Sequence, residues 1–221
     1  MKFFSFFLFV ITFVLLLPFP AHAENQIIIT WQANNFYPSD YKNKALATPN
    51  TPITVAVELV SNNKLIDLSK TNITWFLDEN LLTKGIGLKE TTFTIKKAVG
   101  DSYFLRVSLA LKNSVIDNSI EIPVSKQILV IKTGLPEGKI KTNTTLFLEA
   151  VPYFFNVSRL TELSFSWLIN GSRTNAGSDN FLSLEIGTPA AGQNQVDITA
   201  AAQNILNRLE FTRSNTKLLV E

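Results

Sequence analysis

The chain repeats itself. Ile73-Thr74-Trp75-Phe76-Leu77-Asp78 is echoed by Phe165-Ser166-Trp167-Leu168-Ile169-Asn170, which places Trp75 and Trp167 92 residues apart. Gly85 and Gly100 map to Gly177 and Gly192 at the same spacing, and Ile95 maps to Ile186 at 91. Ile128-Leu129-Val130-Ile131 maps to Leu218-Leu219-Val220-Glu221 at 90. Landmarks that keep their order while the offset drifts by two residues imply two homologous domains.

Within each copy the apolar residues recur with a period of two, the spacing that puts alternate side chains on one face of a strand. Ile53, Val55, Val57 and Leu59 alternate with Thr54, Ala56 and Glu58, and Leu105, Val107, Leu109 and Leu111 with Arg106, Ser108 and Ala110. The second copy does the same in Leu163, Phe165, Trp167 and Ile169, and in Leu182, Leu184 and Ile186. Clusters of Pro, Gly, Ser and Asn at 49–52, 61–64, 85–87, 170–171 and 187–189 separate the runs. Asp197 to Leu209, with its Ala200-Ala201-Ala202 run, has helical propensity. It sits where the first copy has its longest strand, so the repeat predicts a strand there.

Six or seven short antiparallel strands per copy, with one Trp on an early-middle strand, is the pattern of an immunoglobulin-like sandwich. The expected fold is all-β, with two tandem domains over residues 24–132 and 133–221, each built around its own tryptophan, Trp75 or Trp167. Gln26-Ile27-Ile28-Ile29-Thr30 also resembles Gln127-Ile128-Leu129-Val130-Ile131, so strand 127–133 is available both to close the first domain and to open the second. With Gly134 the one glycine there and Pro136 stiffening the residues after it, the expectation is a semi-rigid rod.

The N-terminus sets the compartment. Met1-Lys2 precedes an apolar or small-residue run from Phe3 to Leu17, then Pro18, Pro20 and Ala21-His22-Ala23. That is a signal peptide over residues 1–23, with Ala21 and Ala23 forming the cleavage site. Fifteen residues fall short of the roughly 20 that span a bilayer, so no membrane span is expected after cleavage, while an uncleaved anchor is the alternative. The leader takes with it the only Met and the only His, and the chain has no Cys. Export without disulfides leaves each domain to stand on its apolar core. A Ser-His-Asp triad, a Cys nucleophile, a His-ligated zinc and a His acid-base catalyst are all excluded. Without Lys2, 19 basic residues face 18 acidic ones, and no basic face for nucleic acid stands out beyond Lys132, Lys139 and Lys141. The triplets at Asn72, Asn143, Asn156 and Asn170 are no more than an Asn-rich chain gives by chance, and the composition suggests a bacterium with an AT-rich genome.

The Trp-bearing strand, the Gly85 to Gly87 loop, the strand Thr91 to Ile95 and then Gly100-Asp101-Ser102-Tyr103 resemble the bacterial PKD and Ig-like extracellular repeats. Pro189-Ala190-Ala191-Gly192-Gln193 fits the same loop in the second copy, without the aromatic residue that comes next in those families. Trp31 to Tyr41 is similar to the leading segment of uncharacterised exported proteins of this type. The resemblance implies a PKD-like sandwich acting as a spacer or adhesive module, and it implies no ligand.

Carboxylates are the main chemistry left. Asp78-Glu79, Asp101, Asp117, Asp179 and Asp197 are available for a two-carboxylate hydrolase or calcium, with Glu137, Asp117 and Glu121 nearest the junction. The expectation is that they form turns, with no metal and no cofactor. Trp31, Phe36, Tyr37 and Tyr41 cluster in an Asn-, Lys- and Pro-rich stretch and have two readings. They stack on a glycan or dock a protein partner, or they cover the open end of the first sandwich. Phe154-Phe155 must send its rings to opposite sides, which suggests an interdomain contact. The functional expectation is an exported, non-enzymatic surface or periplasmic binding or spacer module; the alternative is a structural or accessory subunit of an envelope complex.

Overall fold

The computed structural model describes residues 25–174, 179–188, 190 and 194–221. The cleavage residues Ala21 and Ala23 lie outside the described residues, as do Gly177 and Gly192 of the repeat. The first unit contains β1 (Gln26–Ala33), β2 (Pro52–Ser61), β3 (Lys64–Ile66), β4 (Asn72–Leu77), β5 (Asn80–Ile86), β6 (Glu90–Thr94), β7 (Ser102–Ala110) and β8 (Val115–Pro123). Two sheets form from them. In one, β2 pairs with β1 along one edge and with β3 and β6 along the other; the second runs β5-β4-β7-β8.

The second unit contains β9 (Ile128–Lys132), β10 (Lys139–Ile140), β11 (Thr144–Tyr153), β12 (Leu163–Ile169), β13 (Ser172–Arg173), β14 (Phe181–Ile186), β15 (Gln195–Asn204) and β16 (Phe211–Val220). Its sheets run β14-β11-β9 and β10-β16-β15-β12-β13. The path β4-β7-β8 in one unit is the path β12-β15-β16 in the other, and each unit adds one short parallel contact to its last strand, Ala47 with Val124 and β10 with β16. Each unit is an immunoglobulin-like sandwich, so the chain is all-β with two in tandem.

The repeat has a physical content. Trp75 and Trp167 are 0% and 1% exposed at the centres of the two cores. Each indole N–H donates to a backbone carbonyl a dozen or so residues on, Leu88 O at 3.0 Å and Asp179 O at 3.4 Å. At the end of the same strand, Asp78 and Asn170 take matching left-handed conformations, with φ of 48° and 49°. Each closes the same two-bond clamp on the neighbouring strand. The Asp78 N–H donates to Phe104 O and receives the Phe104 N–H on Oδ1, while Asn170 does likewise with Asp197. Asp and Asn recur here because their short side chains tolerate the left-handed region and accept a backbone N–H.

The alanine run forms strand, not helix. Trp167 lies opposite Ala200 and Phe165 opposite Ala202, so the two rings fill the space that small partners leave. Strand 128–132 differs from its assignment to the first domain, residues 24–132. It pairs with β11 of the second unit, and Leu129 packs in the second core. Val124 and Ser125 still hold to the first unit through Ala47, so only Lys126 separates residues tied to opposite sides.

Asp78 also makes an ion pair with Lys97 at 2.8 Å. Burial disfavours its charged form, yet the hydrogen bonds from Lys97 and the Phe104 N–H, with the Lys97 charge, hold the carboxyl below its ordinary value. A depressed carboxyl stabilises the fold above its unfolded value and loses that contribution as the pH falls through the folded one. Asp78→Asn, which keeps the clamp as Asn170 does, costs about 1 kcal/mol or less at pH 7. That difference closes below about pH 3.9. Asp78→Ala costs more at every pH because it leaves the Phe104 N–H unpaired. Urea titrations of the three proteins across pH check both statements.

Candidate functional site

The segment between β1 and β2, residues 34–51, meets the loops that come after β11 and β15. Phe36 and Phe155 form an isolated bridge: the Phe36 N–H donates to Phe155 O at 2.7 Å and the Phe154 N–H donates to Phe36 O at 2.6 Å. Phe154 is left-handed, with φ of 65°. For a bulky residue that conformation costs on the order of 1 kcal/mol or more. Its ring enters the core of the first unit at 2% exposure, while the next ring, Phe155, enters the core of the second at 0%.

A polar layer surrounds this crossing. The Thr48 hydroxyl donates to Phe154 O at 2.9 Å and the Thr51 hydroxyl to Asn156 Oδ1 at 2.6 Å. Asn156 Nδ2 donates to Pro49 O at 2.8 Å and to Glu210 Oε1 at 2.9 Å, so a single amide reaches both units. Glu210, 5% exposed, also receives the Asn156 N–H at 2.6 Å, Gln127 Nε2 at 3.1 Å and Asn204 Nδ2 at 2.7 Å. Its two oxygens thus collect four N–H bonds, and no Lys or Arg among the described residues lies within 4 Å of it. A buried carboxyl group persists when donors replace its lost water.

The four aromatic candidates are half-buried and fall into two groups. Trp31 belongs to β1 itself, not to a loop ahead of the first strand, because it continues the pairing with β2 opposite Val55. Lys44 Nζ sits 3.4 Å above its ring, and burial there lowers the Lys44 pKa. Phe36 makes the bridge, while Tyr37 and Tyr41 join Tyr153 and Phe154 in ring contacts of 5.5 to 5.8 Å between centroids. A cleft of about 440 Å³ opens between Gln32–Tyr37 and Val157–Ser158. Its lining offers amides, hydroxyls and ring edges and contains no carboxylate, so its chemistry is hydrogen bonding and stacking.

The acidic candidates are scattered. Glu79 pairs with Arg106 at 2.9 Å, Asp101 accepts the Ala98 N–H, and Asp197 lies 3.6 Å from Lys217. Asp117 and Glu121 stand on β8, and among the described residues no three His, Cys, Asp or Glu side chains gather to hold a metal. Sequence reading did not pick out Glu210, Asn204 or Gln127, and it saw Asn156 only as part of a chance triplet. Phe154-Phe155 stood out as adjacent rings, but it is the left-handed turn at Phe154 that separates them, since Tyr153 and Phe154, equally adjacent, pack together on the first unit.

No family model and no curated protein matches the chain. Among solved structures it is similar to three N-terminal domains of the bacteriophage RB49 outer capsid protein Hoc, at 13% identity and a TM-score of 0.43, over 89% of this chain. It spans 59% of that structure's length. It is also similar to Clostridium thermocellum CbhA fibronectin(III)-like modules, at 15% identity and a TM-score of 0.31, over 87% of this chain and 94% of that one. A third is the Bacteroides ovatus protein SGBP-B in complex with a mixed-linkage heptasaccharide, at 17% identity and a TM-score of 0.23, over 90% of this chain and 47% of that one. The immunoglobulin-like assignment rests on the strand order of the chain itself.

Because Phe154 belongs to one unit by sequence and to the other by packing, Phe154→Ala lowers the stability of the first sandwich by about 3–5 kcal/mol. Hydrogen exchange of the β2 and β7 amides speeds up accordingly. If only amides of the second unit respond, the crossing carries no energy. Glu210→Ala strands several buried donors and costs about 2–4 kcal/mol in urea unfolding.

Proposed function

We propose that the protein is an exported, non-enzymatic surface or periplasmic module in which two immunoglobulin-like units, joined without a hinge, hold a binding surface at a fixed distance and angle. The observation that carries this reading is the sharing of adjacent residues: Phe154 in one core, Phe155 in the other, and Phe36 of the first unit bonded through its backbone to both of them. A loose pair of domains has no use for a left-handed phenylalanine and a buried carboxyl group at its junction. The domains divide between Val124 and Ile128. The resemblance to bacterial PKD-like extracellular repeats and the signal-peptide pattern over residues 1–23 support the exported compartment. The cleft beside Phe36 and Tyr37 is the place for a glycan or an extended peptide.

A second reading, a subunit of an envelope complex, is favoured by the loop between β15 and β16. Leu206 and Leu209 are 88% and 95% exposed there, next to the buried Glu210, as a protein partner would require. Stoichiometric co-purification of one protein, lost on Leu206→Ser with Leu209→Ser, supports that reading; its absence, with glycan binding by the monomer, supports the first. Small-angle scattering tests the joint itself. A narrow distribution of elongated shapes is expected for the native protein, and broadening on Glu210→Ala with Phe154→Ala. An equally broad distribution in both removes the spacer argument.

A further inference from the structure

The end of the first unit far from the junction combines three features that point to one partner. The described chain enters there: Gln26 pairs with Val60, and Val60 with Leu65. The other sheet presents the matching row, Ile86 beside Asn72, Asn72 beside Ala110 and Ala110 beside Val115. Asn118 Nδ2, bonded to Ile27 O at 2.7 Å, ties the two rows together. On this end Leu65, Ile86 and Val115 are 66%, 75% and 64% exposed, each in a strand beside a different turn. Lys64, Lys70 and Lys112 stand beside them, exposed and outside every ion pair among the described residues. Asp67, the nearby acid, accepts the Ser69 N–H and hydroxyl and also feels the charges of Lys70 and Lys89, without an ion pair to either. Glu58 and Asp117 begin two positions further in from the two rows.

We infer that this end is a membrane-apposing surface, which rests apolar strand-end residues and lysines on the headgroups of an anionic bilayer. Scattered leucines need no explanation, but three apolar side chains on one end with three exposed lysines outside every ion pair among the described residues match the chemistry of such a surface: shallow apolar insertion with phosphate alongside. Where the chain leads strengthens the case. The apolar run from Phe3 to Leu17 precedes this end, and Pro18 to Glu24 reach at most about 25 Å when extended. While the leader is held in a bilayer, this end faces it. The tether applies only where the leader stays uncleaved as an anchor; the surface chemistry holds with or without it. The junction and its cleft then point away from the membrane.

The chain has no Cys, so Asn113→Cys in the turn beside Lys112 and Lys141→Cys in the second unit each give a unique labelling site. The full chain is reconstituted into phosphatidylcholine vesicles with or without phosphatidylglycerol, and a headgroup-borne quencher reports proximity. Strong quenching at 113, absent at 141, is expected only with phosphatidylglycerol. It should fall by at least on the order of 100-fold in effective occupancy with Lys64→Glu, Lys70→Glu and Lys112→Glu together, since neutralising the three lysines alone gives roughly five-fold each, while circular dichroism stays unchanged. Equal quenching in both lipids, or no effect of the charge reversal, overturns the inference and leaves the leader as a passive tether. Protection at 113 in native envelopes without any in protein-free anionic vesicles overturns it in favour of a protein partner. If the leader is cleaved from the native protein, binding of the labelled chain without residues 1–23 to anionic vesicles tests the surface alone, and only the anchor alternative falls.

Discussion

The junction is organised around a break in strand alternation: Leu146, Leu148 and Ala150 face the second core, and regular alternation would send Phe154 there too. The left-handed turn at Phe154 instead sends its ring to the first core and Phe155 to the second. At the end of β11 the second sandwich still has one ring to bury, Phe155, and the residue before it faces outward. A sandwich ending in solvent would place a polar residue there. This chain places Phe154, which finds the first core. The backbone then turns through a left-handed residue to leave the strand, and Phe36 supplies the hydrogen bonds that the departing strand has lost. The cost of the turn is offset by burying a whole ring.

The polar layer arises from the same crossing. Two loops brought together by a buried ring carry their carbonyls and amides with them, and these must be satisfied. Thr48, Thr51 and Asn156 satisfy one side; Glu210, with Gln127 and Asn204, satisfies the other. Hydrogen bonds set direction where apolar contact sets only proximity, so the ring holds the units together and the amides fix their angle. A spacer needs both.

Much of the fold was readable because strands declare themselves through a period of two and because the two copies check each other. The alanine run shows the value of the second test: local propensity pointed to a helix, and the register against Trp75's counterpart required small residues in a strand. Strand 128–132 shows the limit, since both copies open on a similar Gln-Ile run and a sequence match cannot say which partner an edge strand takes. The aromatic cluster was visible as composition, yet Trp31 proved to be a strand residue, while Tyr41, with Tyr37 against it, packs on Tyr153 and Phe154 more than a hundred positions away. Glu210 left no trace in the sequence. A buried carboxyl group is recognised by its donors, and its donors are 6, 54 and 83 residues distant.

The central claim is that the two sandwiches share one orientation in solution. Residual dipolar couplings measured on backbone amides of both units in one aligned sample test it most directly. The account predicts that a single alignment tensor fits the couplings of β2, β4 and β7 together with those of β11, β12 and β15. Two tensors of different magnitude would contradict it, for they would mean that Phe154 and the Glu210 layer do not hold the units at a fixed angle.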